Sequence, residues 1–354
     1  MENLKLDMMW VRGEDEINFT RPNVFFVLGM RGAGKSSFLE LCASRYLDNG
    51  GKVLDLFGSR DGEGLAWLRS PYAKEKRIVL LRGDLVEVKS KQANIPAMKF
   101  RTSDLSTGDI FISSSPLYSS MDEEFEAVNH ILDVLWKRHH WTEPIFVVMR
   151  EAANLIYSRV KVRENQTIAK AEALYMMRES RHCGLALGLD SIKHTSIDVD
   201  IRTLTDYLVI KNVGMYGLPP DLWWVYKIFD PHALRKLKPD EFIILNRGGN
   251  IGLGVFSLPP WHKQENENIL AETGLELRYF QQEAEGDRVR EMIAAALQNL
   301  PPEPEPNEVS AWLKENKDVD IDPIRVGKQI RLLGYRTELV FKDGKLRRII
   351  KKNP

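Results

Sequence analysis

The stretch that most constrains this chain is residues 24–38, where an apolar run, Val24-Phe-Phe-Val-Leu28, passes straight into Gly29-Met-Arg-Gly-Ala-Gly34-Lys35-Ser36. The run has the length and composition of a buried strand, and Ser36-Ser-Phe-Leu-Glu-Leu-Cys-Ala-Ser-Arg-Tyr-Leu47 follows with apolar residues at helical spacing. Strand, glycine-rich turn and helix in that order read as a P-loop. Gly29, Met30, Arg31, Gly32, Ala33, Gly34, Lys35, Ser36 and Ser37 form the candidate phosphate cradle. The glycines let the backbone fold round a phosphate chain, and the amides opening the helix point at it. Lys35 is spaced to reach the outer phosphates and the Ser36 hydroxyl to hold Mg²⁺, so the expected ligand is ATP with Mg²⁺.

Apolar strands alternate with helical stretches on both sides of this turn. Lys52–Phe57, Ile78–Leu81, Ile110–Ser113, Ile145–Met149, Leu185–Leu189, Tyr207–Lys211, Phe242–Asn246 and Ile251–Phe256 read as strands. Met121–His139 carries Phe125, Val128, Ile131, Leu132 and Leu135 on one side, the pattern of an amphipathic helix, and another helical stretch ends near His182. This alternation predicts an α/β fold with a mostly parallel sheet, helices on both faces and an antiparallel hairpin at one edge. Residues 1–22 offer at most one edge strand. The 354 residues exceed one ordinary domain, so a core of roughly 250 residues plus something small is expected.

Composition narrows the class. Fifty basic side chains balance fifty acidic ones, so any affinity for nucleic acid has to come from a local patch. Cys42 and Cys183 are the two cysteines and have no spacing for zinc or a disulfide framework, which suits a reducing interior. The amino terminus lacks the basic and apolar regions of a signal peptide, and no apolar run approaches the roughly 20 residues needed to span a bilayer. A cytoplasmic protein without membrane attachment is expected. The seven histidines show no metal spacing and receive no chemistry. Trp223, Trp224, Tyr226 and Trp261 read as core or as a subunit contact.

The chain is expected to divide into a core at 1–280, a charged helix with a proline-rich linker at 281–306, and a small domain at 307–354. Pro301-Pro-Glu-Pro-Glu-Pro306 marks the boundary, because its prolines cannot lie inside a helix or a central strand. Helices near 307–316 and 323–333, then a hairpin turning at Asp343-Gly344, describe a winged helix-turn-helix. Residues 325–354 hold ten Lys or Arg against two acidic residues. Arg325, Lys328 and Arg331 share a helical face, while Lys345, Arg347, Arg348 and Lys351 lie on the wing, where both groups could meet DNA phosphates. A solvated basic tail is the plainer account.

A P-loop ATPase also needs a carboxylate near Mg²⁺ and a base for the attacking water, both usually at the end of another core strand. Ile145-Phe-Val-Val-Met-Arg150-Glu151-Ala-Ala-Asn-Leu-Ile156 supplies Glu151 directly after an apolar run. Here the chain resembles the HerA/FtsK-type translocase ATPases, whose equivalent stretch ends Asp-Glu. The resemblance extends through Arg178-Glu-Ser-Arg181 and Leu185-Ala-Leu-Gly-Leu-Asp190-Ser191, Ser196–Arg202, Leu218-Pro-Pro-Asp221 and Leu237-Lys-Pro-Asp-Glu-Phe-Ile-Ile-Leu245 to Pro259-Pro-Trp-His262. It implies a RecA-like core, Glu151 as the water-activating residue, and Arg178 or Arg181 as an arginine reaching a neighbouring subunit's ATP. Arg150 stands where the family has its metal-linked Asp, and Asp190 where it usually has Gln. The family's strand order would make these neighbours, so Asp190 is expected to supply the negative charge near the metal, with Arg150 paired to it or touching phosphate. On that expectation, Arg150→Asp combined with Asp190→Gln would retain turnover. Asp55, Asp61 and Glu63 read as loop or turn residues, with approach to the site as the alternative. Arg159, Lys161 and Arg163 are candidates for a channel-facing loop.

The reading implied is an ATP-driven translocase or packaging-type motor, a ring and by resemblance a hexamer, acting on double-stranded DNA. The alternative is a nucleotide-gated DNA-binding protein with little hydrolysis, which Arg150 would permit. A conjugation-type ATPase acting on protein would carry an anchor or coupling domain, and neither is visible.

Overall fold

A computed structural model describes the chain outside residues 1–3, 57–61, 139–141, 153–164, 193–202, 263–268, 281–284, 318, 320, 324–325, 328–329, 331–332, 343–344 and 353–354. The apolar runs become strands of one sheet. In chain order they are β1 (Leu6–Arg12), β2 (Val24–Leu28), β3 (Lys52–Leu56), β4 (Ile78–Arg82), β5 (Val86–Lys89), β6 (Ala93–Pro96), β7 (Ile110–Ser113), β8 (Ile145–Met149), β9 (Leu185–Ser191), β10 (Tyr207–Ile210), β11 (Glu241–Asn246) and β12 (Ile251–Phe256). All except β5 join an 11-stranded sheet in the order β1-β12-β11-β10-β2-β9-β8-β3-β7-β4-β6.

Every neighbouring pair from β10 to β6 is parallel, and β11, β12 and β1 add an antiparallel edge. The edge hairpin and the single leading edge strand agree with the sequence reading. Parallel strands buried on both faces need continuous apolar runs. β2 and β8 are buried at every position, and so is β9. Helix α1 (Lys35–Asp48) lies across β2, β9, β8 and β3. A one-turn helix, α2 (Tyr72–Glu75), precedes β4, and α3 (Met121–Trp136) packs against α4 (Asn165–Cys183).

Three short strands were not visible in the sequence. β5 is Val-Glu-Val-Lys, β6 is Ala-Asn-Ile-Pro, and β13 (Glu276–Tyr279) is Glu-Leu-Arg-Tyr, which pairs with β5. β5 and β13 alternate over only four residues and β6 does not alternate, too short a pattern to stand out in the sequence. Pro96 fits because β6 is the sheet edge, where a missing N–H breaks no ladder.

The chain forms two compact units, Met1–Phe280 and Gln281–Pro354. In the second, helices at Glu285–Asn299 and Pro306–Lys317 precede a hairpin of β14 (Tyr335–Lys342) and β15 (Lys345–Lys352). Ile293, Ala296, Val309, Leu313, Ile330 and Ile350 build its core, so the helix at 285–299 belongs to this unit rather than merely leading to it. Among the described residues, no helix is long and apolar enough to cross a membrane.

Candidate nucleotide site

Parallel α/β sheets gather ligands beyond the carboxyl ends of their strands, and the turn after β2 lies at that edge. The Gly29 N–H donates to the Ser191 carbonyl at 3.2 Å, and the Met30 N–H to the Asn212 carbonyl at 2.7 Å, which ties the loop to the ends of β9 and β10. Gly34, at φ 81°, is the position where glycine is required. A Cβ there would lie 2.2 Å from the Pro239 carbonyl oxygen. Lys35 Nζ donates to the Met30 carbonyl at 3.1 Å across the loop. Residues 29–37 thus form a compact turn on a helix amino terminus, the geometry that suits a phosphate chain.

β9 lies between β2 and β8, so the P-loop and Glu151 leave strands two places apart, a spacing of about 10 Å. Glu151 is exposed and takes a left-handed conformation, φ 47°, rare for a residue with a side chain. Its backbone N–H donates to Asp190 Oδ1, which ties the main chain at Glu151 to the Asp190 carboxylate. Burial pushes the Asp190 carboxyl up to about 6, with Lys35 working against the shift and Glu63 adding to it.

Arg150 does not do what the sequence suggested. Its guanidinium donates from Nε and Nη2 to Asp55 at 3.0 and 2.7 Å, and from Nη2 to Glu40 at 2.9 Å, with no hydrogen bond to Asp190. The side chain is 1% exposed, so it lies beneath the site rather than against phosphate. Burial would strip its charge, but Asp55, Glu63 and Glu40 hold its pKa above the ordinary value. His262 Nδ1 bonds Glu40 at 2.9 Å, and Trp67 Nε1 donates to Asp55 at 2.8 Å. Burial alone would lift the Glu40 carboxyl, yet His262 and Arg150 bring it below the usual range.

The expected rescue of Arg150→Asp by Asp190→Gln is therefore corrected. It would set a new carboxylate among Asp55 and Glu40 with no cation between them. Sequence reasoning misses Glu40 and assigns His262 no chemistry; for Asp55 and Glu63 it prefers loop or turn residues, and the structure follows its alternative, with both beside Arg150. The available signal was a charged residue inside an apolar segment, as Glu40 is between Leu39 and Leu41, and Asp55 between Leu54 and Leu56. Asp61, Arg159, Lys161 and Arg163 lie outside the described residues.

Arg181 Nη2 donates to Asp206 Oδ1 at 2.6 Å, and Asp206 Oδ2 accepts the Val24 N–H, so this arginine sits at the amino end of β2, away from its own P-loop. Arg178 is exposed on α4. In the second unit, Arg325, Lys328 and Arg331 lie outside the described residues. Lys345 opens β15, and Arg348 is exposed. Arg347 lies 3.3 Å from Glu305, and Lys351 lies 3.2 Å from Glu338 and 3.6 Å from Glu303, so two of the expected DNA-contacting cations have carboxylate partners within the unit.

Compared with protein-family models and with curated proteins, the sequence matches none. Among solved structures, the chain is similar to the genome packaging NTPase B204 from Sulfolobus turreted icosahedral virus 2 in complex with AMP. That similarity has 15% identity and TM-score 0.39, over 67% of this chain and 98% of that one. It is also similar to the pCW3 conjugation coupling protein TcpA with ATPγS, at 12% identity and TM-score 0.42, over 73% of this chain and 67% of that one. A third similarity is to the cytoplasmic domain of the Thermomonospora curvata Type VII secretion ATPase EccC, at 12% identity and TM-score 0.37, over 71% of this chain and 25% of that one.

Proposed function

We propose that the chain is an ATP-driven motor on double-stranded DNA. In this reading Mg·ATP binds at residues 29–37, Lys35 neutralises charge on the outer phosphates, and Glu151 activates the water that cleaves the terminal one. The Ser36 hydroxyl and the Asp190 carboxylate would hold Mg²⁺. A buried carboxyl pushed up to about 6 is one that a nearby cation would return to its ionised form. When bound, the ion would withdraw charge from the phosphate oxygens.

The observation that carries the reading is the hydrogen bond from the Glu151 backbone N–H to Asp190, which brings the end of β8 to the end of β9, the strand beside the P-loop strand. Chemistry of that kind is completed by a cation from outside, and Arg178 or Arg181 of a neighbouring copy in a ring, by resemblance a hexamer, would supply it. Met215 and Trp223, 80% and 58% exposed, support a subunit contact, because large apolar side chains at such exposure are surfaces that association covers. The second unit is read as a winged helix on duplex DNA, with Lys345, Arg347, Arg348 and Lys351 on its wing, and with Arg325, Lys328 and Arg331 as further candidate phosphate contacts from the sequence.

One observation favours a second reading. Arg150 occupies the place of the metal-linked acid and its charge is taken up in the core, which suits a nucleotide-gated DNA-binding protein with little hydrolysis. Steady-state ATP turnover with and without duplex DNA separates the two, with Glu151→Gln as control. The motor predicts DNA stimulation of at least about tenfold, lost in the variant. Tight ATP binding without turnover would select the switch instead.

A further inference from the structure

The buried network beneath the candidate site joins three elements through one side chain. Glu40 lies on α1, the helix that Lys35 opens; Asp55 lies in β3; and Arg150 immediately precedes Glu151 at the end of β8. The guanidinium forks onto Asp55 with two bonds and reaches Glu40 with a third. A fork of that kind fixes orientation as well as distance, which a single point charge does not.

The next residue is the one with unusual geometry. Glu151 is in the left-handed region at φ 47° and donates its N–H to Asp190. A residue with a side chain stays there only where its surroundings determine it from both sides. Asp190 holds the Glu151 amide, and the Arg150 side chain, bonded to Asp55 and Glu40, anchors the main chain just before it.

We propose that Arg150 is a positioning residue for Glu151. Its pairing with Asp55 and Glu40 fixes the end of β8 to the P-loop helix, so that the carboxylate of Glu151 is presented toward the terminal phosphate. This rests on the reading of Glu151 as the water-activating residue. It gives Arg150 a role that neither a metal acid nor a phosphate contact would give it.

Two further groups complete the clamp. His262 holds Glu40 from the far side at 2.9 Å, and its ring is 4% exposed. Arg150 Nη1 and His262 Nε2 have no hydrogen-bond partner among the described residues, and both face Glu63 Oε1, at 3.5 and 3.4 Å. A small shift of Glu63 would close both bonds, so the clamp has a third carboxylate within reach.

The full chain with Glu40→Gln, Asp55→Asn and Arg150→Met together tests this. Gln and Asn keep acceptor oxygens for His262 and Trp67, and the set leaves neither Arg150 nor its two carboxylates as an unpaired charge. With Mg·ATP and duplex DNA, the expected result is ATPγS affinity within about twofold of wild type, an unchanged KM, and kcat lower by at least about tenfold, as misplacing a reacting group predicts. Wild-type kcat in a folded triple variant would overturn the proposal.

Should the triple variant not fold, Arg150→Lys decides. It keeps the charge and loses the fork, so the expected result is again a fall in kcat at unchanged affinity, and an unchanged kcat would overturn the proposal. A merely structural cluster would lower turnover only in step with the folded fraction. If wild type and Glu151→Gln turn over ATP equally slowly, the underlying reading of Glu151 fails and the proposal falls with it. Turnover retained in wild type and in both clamp variants would remove the clamp alone.

Discussion

Asp190 is a side chain whose burial costs stability where it stands. Burial first, and Glu63 as well, lift its folded pKa to about 6, above the ordinary carboxylate value. Between roughly pH 4 and 6 the folded state therefore binds more protons than the unfolded, and stability falls as pH rises through that window. Above it the cost is fully present, about 2–3 kcal/mol as an upper bound. Asp190→Asn keeps an acceptor for the Glu151 N–H and removes the charge. The variant is expected to unfold at higher denaturant than wild type at pH 7.5, by an amount that shrinks toward pH 4.5, and to have lost turnover. Equal stability at both pH values would show that Asp190 is not held in this environment. Arg150 carries the opposite lesson. The sequence marked it as a departure but could not show its partners, because Asp55, Glu40 and His262 come from separate segments and only the fold brings the two carboxylates to one guanidinium and His262 to Glu40.

At the scale of elements, the P-loop was legible because its chemistry is contiguous: strand, glycines, Lys35 and Ser36 follow one another in the chain. Most of the parallel strands were legible for the same reason, since their residues are largely apolar and contiguous, whereas β6, Ala-Asn-Ile-Pro, was not. What escaped was anything held by a contact between segments. The stretch at 237–241 is an example, with its Pro239 carbonyl against Gly34 and its Pro239 and Glu241 carbonyls each 2.7 Å from Lys211 Nζ. Lys211 follows β10, has its Cβ within 2.7 Å of where a Gly29 Cβ would stand, and lies over the Phe256 ring at 4.5 Å. Burial pulls its pKa down to about 7. From there up to the ordinary lysine value the unfolded state binds more protons, so stability rises with pH across that range, by up to about 1.4 kcal/mol per unit. Lys211→Met is expected to flatten the slope of unfolding free energy between pH 7.5 and 9.5 relative to wild type. An identical slope would mean that the amine titrates normally.

For the whole molecule, zero net charge conceals a division: the basic residues of 325–354 stand against an acidic remainder. Pairing of Arg347 with Glu305, and of Lys351 with Glu338 and Glu303, reduces the number of cations left for a polyanion. Deleting the whole second unit, 281–354, is expected to weaken DNA binding and to make log affinity less steep in log salt, by roughly one for each phosphate contact removed. An unchanged slope would make the second unit a solvated appendage. The apolar tip of its hairpin was not anticipated: Leu339, Phe341 and Leu346 are 61%, 74% and 64% exposed. A pattern of alternation gives strand faces but not which face has a neighbour. The claim on which the rest depends is that residues 29–37 and Glu151 act on one ATP. Single-turnover hydrolysis of radiolabelled Mg·ATP by excess full-length protein on duplex DNA tests it most directly. The account predicts that wild type converts the label, that Glu151→Gln retains ATP unhydrolysed, and that Lys35→Ala fails to retain it. Conversion by Glu151→Gln at the wild-type rate, or retention of unhydrolysed ATP by Lys35→Ala equal to that of Glu151→Gln, would contradict it.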